Sequence, residues 1–186
     1  SLIDAIVLSR ATLHRFHHND PEHLAELLNK TAGPGRRLVI TESVFSMDGD
    51  LAPLREIARI AADHEAMLLV DEAHATGVFG PGGSGLVREL GLESAVNLSM
   101  ATLSKAMGGY GGFVACSEKM KTLLVNRARS FIYSTALPPA VLGAALGALD
   151  VLKEWPDLGA QLLKRASDFR SRLRAAGLNT TDSASQ

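Results

Sequence analysis

The sequence contains a single cysteine, Cys116, among its 186 residues, so it cannot form an internal disulfide. One free thiol is typical of proteins that fold in the reducing cytoplasm, and we expect Cys116 to pack within a strand. No apolar run approaches the roughly 20 residues that span a bilayer. No basic segment followed by an apolar one marks a secretory signal. These absences predict a cytoplasmic protein without a membrane anchor.

The sequence also lacks an excess of charge of either sign. It has 19 Lys and Arg against 20 Asp and Glu, for a net charge of −1. This balance excludes a broad basic surface for nucleic acid. There is no initiator methionine, and the polar tail over 179–186 has no closing element. We therefore expect the chain to be a fragment of a larger protein.

What is present is an alternation of short apolar runs and helical patterns, which is typical of an α/β fold. The runs over 37–41 and 68–71 are typical of buried strands, and the segment between them predicts a helix over 53–64. Such a β-α-β unit predicts two parallel strands with a right-handed crossover. The strand predicted over 111–117 follows the preceding strand too closely for a crossover helix, so it should run antiparallel.

Capping residues and apolar periodicity predict further elements. A helix with Asp20 as its N-cap and Pro21 as its first residue should run to about Lys30. The helix over 140–152 is apolar almost all round, which predicts that it is buried. A boundary is expected at Trp155–Asp157, followed by a long helix. The remaining predictions are a short helix over 1–10, strands over 12–16 and 96–100, a helix over 118–129 and an extended segment over 131–135.

Polar side chains follow three of the predicted strands, and ligands of open parallel sheets bind beyond such carboxyl ends. These side chains are Ser46, Asp71, His74, Thr102 and Lys105. A lysine amine can form a Schiff base with a carbonyl. Pyridoxal phosphate (PLP) enzymes need such a lysine and a carboxylate that pairs with the pyridine nitrogen. The sequence therefore predicts a PLP site in which Asp71 is that carboxylate and Thr102 offers a hydroxyl to the phosphate.

The letters Asp71-Glu72-Ala73-His74 also spell the Walker-B signature of a DEAH-type ATPase. In that alternative, Asp71 and Glu72 would serve Mg²⁺ and the attacking water. Against it, the sequence has no Gly-x-x-x-x-Gly-Lys-Ser/Thr loop, and the glycine-rich run over 77–85 has neither that ending nor the flanks of a dinucleotide loop. The histidines between 14 and 23 do not have a zinc-binding spacing, so no metal site is predicted.

Four segments together resemble the α-oxoamine synthases, a fold-type I PLP family that condenses acyl thioesters with amino acids. The segments are TESVFSMDGDLAPL (41–54), VDEAHATGVFGPGGSG (70–85), TLSKAMGGYGG (102–112) and FIYSTALPP (131–139). The resemblance implies a three-layer α-β-α fold with a mostly parallel sheet. Residues 1–154 would be the central part of the PLP-binding large domain. Residues 155–186 would be the connecting helix and the start of the small carboxy-terminal domain.

The resemblance also implies a role for each site residue. Lys105 would carry the cofactor and then act as the general base, with His74 as the second catalytic residue. His74 and Ser46 would contact the phenolic oxygen of the cofactor. Ser134 and Thr135 would reach the phosphate bound by the neighbouring subunit of a homodimer. The complete cofactor-binding set would be Ser46, Asp71, His74, Thr102, Lys105, Ser134 and Thr135.

Within this family, the four segments most resemble those of the enzyme that acts in biotin biosynthesis. That enzyme condenses L-alanine with a pimeloyl thioester, carried on CoA or on a carrier protein, and releases CO₂ and the thiol. The alternatives left open are a condensation of the glycine C-acetyltransferase or 5-aminolevulinate synthase type, an aminotransferase, and a catalytically silent dimerisation fragment. The family's amino-terminal part, with a histidine that stacks on the cofactor, would precede Ser1.

Overall fold

The computed structural model describes residues 2–31 and 33–186, and within them four strands form one sheet in the order β1-β2-β3-β4. The strands are β1 (Leu38–Glu42), β2 (Met67–Asp71), β3 (Leu98–Thr102) and β4 (Gly112–Cys116). β1, β2 and β3 are parallel, and β4 runs antiparallel to β3. Both predicted orientations are confirmed. The β1–β2 connection holds a helix, which allows parallel strands, whereas the β3–β4 connection is too short for a helix and requires antiparallel ones.

The helices lie largely where capping and periodicity predict them. The Asp20 carboxylate accepts a hydrogen bond from the His23 backbone N–H at 2.9 Å, and Pro21 occupies the first turn, so the predicted start of the second helix is confirmed. Ser1, part of the predicted first helix, lies outside the described residues. In the described part of the chain, no helix is long and apolar enough to cross a membrane. The helices are α1 (Leu2–Ser9), α2 (Pro21–Lys30), α3 (Leu54–Asp63), α4 (Leu86–Glu89), α5 (Glu118–Arg127), α6 (Arg129–Ile132), α7 (Pro139–Glu154) and α8 (Leu158–Ala175), with a 3-10 turn at Pro81–Gly83.

The hydrophobic core contains α2, α3 and one face of the sheet. Leu54 and Ile57 of α3 and Leu68 of β2 are each only 1% exposed, and Val70 of β2 is fully buried. Side chains alternate between the two faces of a strand. Because Val70 points into this core, Asp71 points to the opposite face of the sheet.

Two predicted extended segments differ in the structure. Residues 12–16 belong to no strand in the described range 2–31. A strand there would lack a ladder, because β1 pairs only with β2 among the described strands. The segment predicted as extended over 131–135 begins inside α6, where the Phe131 N–H donates to the Ala128 carbonyl at 3.0 Å. That prediction is wrong for its first two residues.

The third strand begins later than the apolar run over 96–100 predicts. The Val96 N–H donates to the Leu92 carbonyl at 3.1 Å, so Val96 still belongs to the preceding turn. The Asn97 side-chain oxygen accepts the Leu68 N–H at 2.7 Å. A side chain thus replaces a backbone carbonyl at the start of the ladder, and β3 begins at Leu98.

The prediction that α7 is buried is wrong for this chain. None of the residues of α7, all of which the structure describes, is buried. Leu142, Leu146 and Leu149 are 48%, 63% and 45% exposed. The apolar sequence predicts that this helix can be buried, but burial also requires another layer of protein that covers it. No segment in the described ranges forms such a layer.

α8 follows the predicted boundary at Trp155–Asp157 and returns to the body of the chain. Gly159, in its first turn, is the only one of its residues that is buried, and all of α8 is described. A Cβ on Gly159 would lie 2.0 Å from the Val78 carbonyl oxygen. The helix therefore contacts the backbone of the loop after β2 at this glycine. The assignment of 155–186 to a second domain stays a prediction.

Gly159→Ala is expected to reduce the free energy of unfolding by about 1–3 kcal/mol, because the new methyl group forces α8 away from Val78. Gly143→Ala in α7 is the matched control, since among the described residues no atom beyond the helix's own backbone lies within 4 Å of a Cβ there. That control should gain about 0.5–1 kcal/mol from the higher helix propensity of alanine. Urea unfolding followed by circular dichroism measures both. Equal effects of the two substitutions would show that Gly159 does not set the docking of α8.

Candidate active site

The predicted site residues lie at the carboxyl edge of the parallel strands. Asp71 is the last residue of β2 and Thr102 is the last residue of β3. Ser46 lies in the exposed turn that follows β1, and this turn is closed by a bridge between Val44 and Leu51. Such an edge is where open α/β sheets bind their ligands. The topology thus gathers Ser46, Asp71 and Thr102 as the sequence predicts.

Lys105 and His74 are in direct contact. The Lys105 Nζ atom lies 2.6 Å from the His74 Nε2 atom. An ammonium group can only donate, so His74 Nε2 must be the acceptor and the imidazole must be neutral when this bond is made. The two residues belong to different loops, one after β2 and one after β3. This contact brings together the two residues predicted to be catalytic.

The loop that carries Lys105 is held at several points. The Thr102 hydroxyl lies 2.7 Å from the Ser104 hydroxyl and accepts a bond from the Ser104 N–H at 3.2 Å. The Gly108 N–H donates to the Lys105 carbonyl at 2.9 Å. A Cβ on Gly77, which has φ +82°, would lie 2.7 Å from the Ala106 Cβ. The close approach of these two loops therefore requires glycine at position 77.

The Asp71 carboxylate is partly exposed, and one of its two oxygens accepts no hydrogen bond from the described residues. Its Oδ1 atom accepts the Ala73 N–H at 2.9 Å. Its own carbonyl accepts the Ser43 N–H at 2.9 Å, which ties the end of β2 to the chain after β1. The backbone thus fixes the carboxylate and leaves its second oxygen for a ligand. An ionised carboxylate in this position can accept a hydrogen bond from a protonated ring nitrogen.

Burial lowers the pKa of the His74 imidazole below its ordinary value of 6.5, and the positive charge of Lys105 lowers it further. The negative charges of Glu42 and Asp71 oppose this shift. His74 is therefore neutral at pH 7, as its bond with Lys105 requires. The lowered pKa and the contact with Lys105 thus both indicate a neutral imidazole.

Acidification is expected to remove the stability that His74 contributes. Because the folded-state pKa is lowered, this contribution is complete above pH 6.5 and is lost as the pH falls through the lowered value. Unfolding free energies measured by urea between about pH 8 and about pH 5 test this. His74→Asn should flatten the profile, whereas His14→Asn, at an exposed position, should not. An unchanged profile in His74→Asn would contradict the shift.

A cleft of about 400 Å³ contains Ser46 and His74 on one side and α8 with the carboxy-terminal segment on the other. The Gln186 side-chain amide donates to the His74 carbonyl at 2.8 Å. The Ser185 N–H donates to the Gly49 carbonyl at 3.0 Å. The tail thus joins the loop of Ser46 to the turn of His74. Sequence reasoning missed this contact because nothing in the sequence pairs residues this far apart.

Ser134 and Thr135 are exposed, and the Ser134 hydroxyl bonds the Ser130 carbonyl within its own segment. Among the described residues, no hydrogen bond joins either of them to the other predicted site residues. Their predicted role concerns a neighbouring subunit, so it stays a prediction.

The ATPase alternative gives Glu72 a catalytic role, but the structure places this residue away from the site. Glu72 is only 3% exposed, and one of its carboxylate oxygens accepts the Val87 N–H at 2.9 Å. A carboxylate that activates water for ATP hydrolysis must face the nucleotide. The position of Glu72 therefore disfavours the ATPase alternative. The alternation of side chains along β2 could have revealed that Glu72 points away from the site, since adjacent residues point to opposite faces.

The histidines between 14 and 23 form local contacts. His17 Nδ1 lies 3.6 Å from an Asp20 oxygen, and His23 Nδ1 accepts the His17 N–H at 3.0 Å. His18 Nε2 lies 2.7 Å from an Asp50 oxygen. Together with Asp20 and Asp48, these side chains form two groups whose atoms are close enough to share an ion. The prediction that they bind no metal remains a prediction.

The whole chain, residues 1–186, matches the family described as aminotransferase class I and II. The chain belongs to this family. Among curated relatives, it is 45% identical over 188 residues to 8-amino-7-oxononanoate synthase from Citrifermentans bemidjiense. It is 46% identical over 188 residues to the enzyme of that name from Geobacter sulfurreducens. Each alignment covers 100% of this chain and 48% of the relative, so the chain spans about half the length of these relatives.

Solved structures give the same picture of the fold for this member of the class I and II aminotransferase family. A serine palmitoyltransferase from S. paucimobilis with PLP and myriocin bound has a TM-score of 0.93 at 33% identity, over 100% of this chain and 48% of that one. An 8-amino-7-oxononanoate synthase from Francisella tularensis has a TM-score of 0.80 at 34% identity, over 96% and 51%. The predicted α/β fold of a fold-type I large domain is confirmed.

Proposed function

We propose that this chain carries the cofactor-binding part of a PLP-dependent acyltransferase. The reaction is the condensation of L-alanine with pimeloyl-CoA, or with a pimeloyl-carrier protein, to 8-amino-7-oxononanoate, CO₂ and the free thiol, in biotin biosynthesis. The curated relatives are named for the synthesis of 8-amino-7-oxononanoate, which supports the product of this reaction. The single observation that supports the chemistry most strongly is the 2.6 Å contact between Lys105 and His74 at the sheet edge where Asp71 ends β2.

The side chains at this edge fit PLP. The Asp71 carboxylate has an oxygen left for the pyridine nitrogen, and Lys105 offers the amine that bonds the cofactor. The hydroxyls of Thr102 and Ser104, 2.7 Å apart, are suited to phosphate oxygens. His74 and Ser46, which border one cleft, are suited to the phenolic oxygen. When bound, PLP supplies a protonated ring that accepts electrons from the α-carbon of an amino acid.

Lys105 carries out the proton transfers, and His74 orients its amine. Lys105 takes the α-proton from L-alanine through its amine, and it later returns a proton to the product. His74 is neutral at pH 7 because burial and Lys105 lower its pKa. Its Nε2 atom accepts an N–H bond from Lys105, which orients the amine toward the α-carbon. The Asp71 carboxylate would pair with the ring nitrogen and so would favour the protonated, positively charged ring.

The proposal includes a homodimer with shared active sites, in which Ser134 and Thr135 reach the phosphate bound by the neighbouring subunit. Two observations support a protein layer over this part of the chain. Both residues are exposed. The leucines of α7, which follows directly, are about half exposed in the described chain. Apolar helix faces of this kind are typical of subunit interfaces.

Release of the thiol on mixing L-alanine and pimeloyl-CoA with the PLP-loaded protein tests the reaction. The assay is run on this chain and on the longest polypeptide that contains it. We expect this pair to react at least about tenfold faster than glycine with acetyl-CoA or with succinyl-CoA. A faster reaction of either glycine pair would favour the corresponding alternative. An aminotransferase would convert the amino acid without releasing thiol, and a silent fragment would do neither.

A further inference from the structure

The carboxyl group of Glu72 is buried between three segments of the chain. Its Oε1 atom accepts the Val87 N–H at 2.9 Å, and its Oε2 atom accepts the Ser99 hydroxyl at 3.2 Å. Burial raises the pKa of this carboxyl, and hydrogen bonds from the backbone of Val87 and Leu86 and the hydroxyls of Ser99 and Ser43 oppose the rise. These donors come from the start of α4, from β3 and from the chain just after β1.

The segment before α4 is shaped around this carboxylate. Gly85 has φ +101°, and a Cβ there would lie 2.3 Å from the Glu72 Oε2 atom. No other residue type fits this position, because a side chain would be strained by the backbone and would collide with the carboxylate. The close approach lets Val87 donate its N–H. Glu72 and the start of α4 are therefore built as one unit.

The backbone of Glu72 begins the turn that carries His74. The Glu72 N–H donates to the Met100 carbonyl at 2.7 Å, and its carbonyl accepts the N–H groups of Ala75 and Thr76 at 3.0 and 2.9 Å. The Asp71 carboxylate is bonded within the same turn, to the Ala73 N–H. A shift of Glu72 must therefore move both Asp71 and His74.

We propose that Glu72 is a positioning residue of the active site. Its buried carboxylate anchors the turn over 72–76 to α4 and β3, and this sets the contact of His74 with Lys105 and the direction of Asp71. The role rests on the proposed PLP chemistry for its consequence in catalysis. The placement of His74 itself can be measured without the cofactor.

Two readouts on the chain distinguish this role from a contribution to stability alone. The first is the titration of the His74 imidazole by NMR without cofactor. The second is the yield of borohydride trapping of PLP on Lys105. In Glu72→Ala, we expect the His74 pKa to rise toward 6.5, because the relaxed turn exposes the imidazole to solvent and moves it away from Lys105. We expect the trapping yield to fall several-fold.

Glu89→Ala is the matched control. Glu89 is exposed, and it also accepts a backbone N–H, that of Gly80, at 2.7 Å. Loss of that bond should leave the His74 titration and the trapping yield as in the unmodified chain. An equal shift in Glu72→Ala and Glu89→Ala, or no shift in either, would overturn the proposal.

Two milder variants decide the matter if Glu72→Ala does not fold. Glu72→Gln keeps an acceptor for Val87 and can donate to the Ser99 hydroxyl, so its His74 pKa should lie between those of the unmodified chain and a fully released turn. Ser99→Ala removes one donor and should shift the titration in the same direction with little change in melting temperature. No shift in these folded variants would overturn the role of Glu72. Failure of the unmodified chain to label at Lys105 would instead count against the PLP function, and the titration would still judge the positioning.

Discussion

Lys105→Ala is expected to abolish borohydride labelling by PLP and to reduce the rate of thiol release by at least about 10³-fold. The substitution removes both the amine that bonds the cofactor and the general base, and a positioned base alone contributes about 10²–10⁴-fold. Mass spectrometry of the reduced, digested protein locates the label. Thiol release from pimeloyl-CoA with L-alanine measures the rate.

Lys119→Ala is the control, because Lys119 is an exposed lysine on α5. It should retain the label and the rate of the unmodified protein. Label on several lysines at once would indicate non-specific reaction with PLP. Label that persists in Lys105→Ala at full yield would rule out Lys105 as the cofactor lysine. It would also contradict the assignment of this edge of the sheet as the PLP site.

Asp71→Asn is expected to reduce the rate by about 10²–10³-fold, comparable to the loss of one preorganised electrostatic group elsewhere. The amide oxygen of asparagine can still accept the Ala73 N–H that Asp71 accepts at 2.9 Å, so the turn should persist. The lost charge no longer holds the ring nitrogen protonated. Labelling at Lys105 should therefore survive while turnover falls. Parallel trapping and thiol-release assays separate the two effects.

Asp63→Asn controls for the removal of a negative charge. Asp63 pairs with Arg59 at 2.8 Å on the exposed side of α3, and such surface pairs contribute little. Its rate should match that of the unmodified protein. A full rate in Asp71→Asn would exclude the role of this carboxylate in activating the ring, even if Lys105 were labelled.

The sequence predicts the β-α-β unit well because its signals are local. Asp20 and Pro21 mark the start of α2 within a few residues, and the short connection between β3 and β4 is visible by counting. The late start of β3 is not visible in the same way. It depends on the Asn97 side chain, which bonds Leu68 in the neighbouring strand. The role of Asn97 therefore becomes visible only when β2 is paired beside it.

The burial of α7 could not be predicted for this chain, because hydrophobicity identifies a surface to be covered and not the partner that covers it. At the site, strand-end positions predicted Asp71, Thr102 and Ser46 at one edge, and the structure adds the contact of His74 with Lys105. The inward direction of Glu72 follows from the register of β2 with the core. The contact of Gln186 with His74 depends on the path of the tail after α8.

The antiparallel pairing of β3 and β4 has a consequence for ligand affinity. Thr102 pairs with Gly112, so both ends of the loop that carries Lys105 are closed by the sheet. Flexible loops lose conformational entropy when a ligand orders them, and this loss weakens binding. Here the ends of the loop are fixed during folding, before any ligand arrives. A cofactor joined to Lys105, as we propose, would therefore meet a preorganised backbone, and the ordering that remains would concern mainly the lysine side chain.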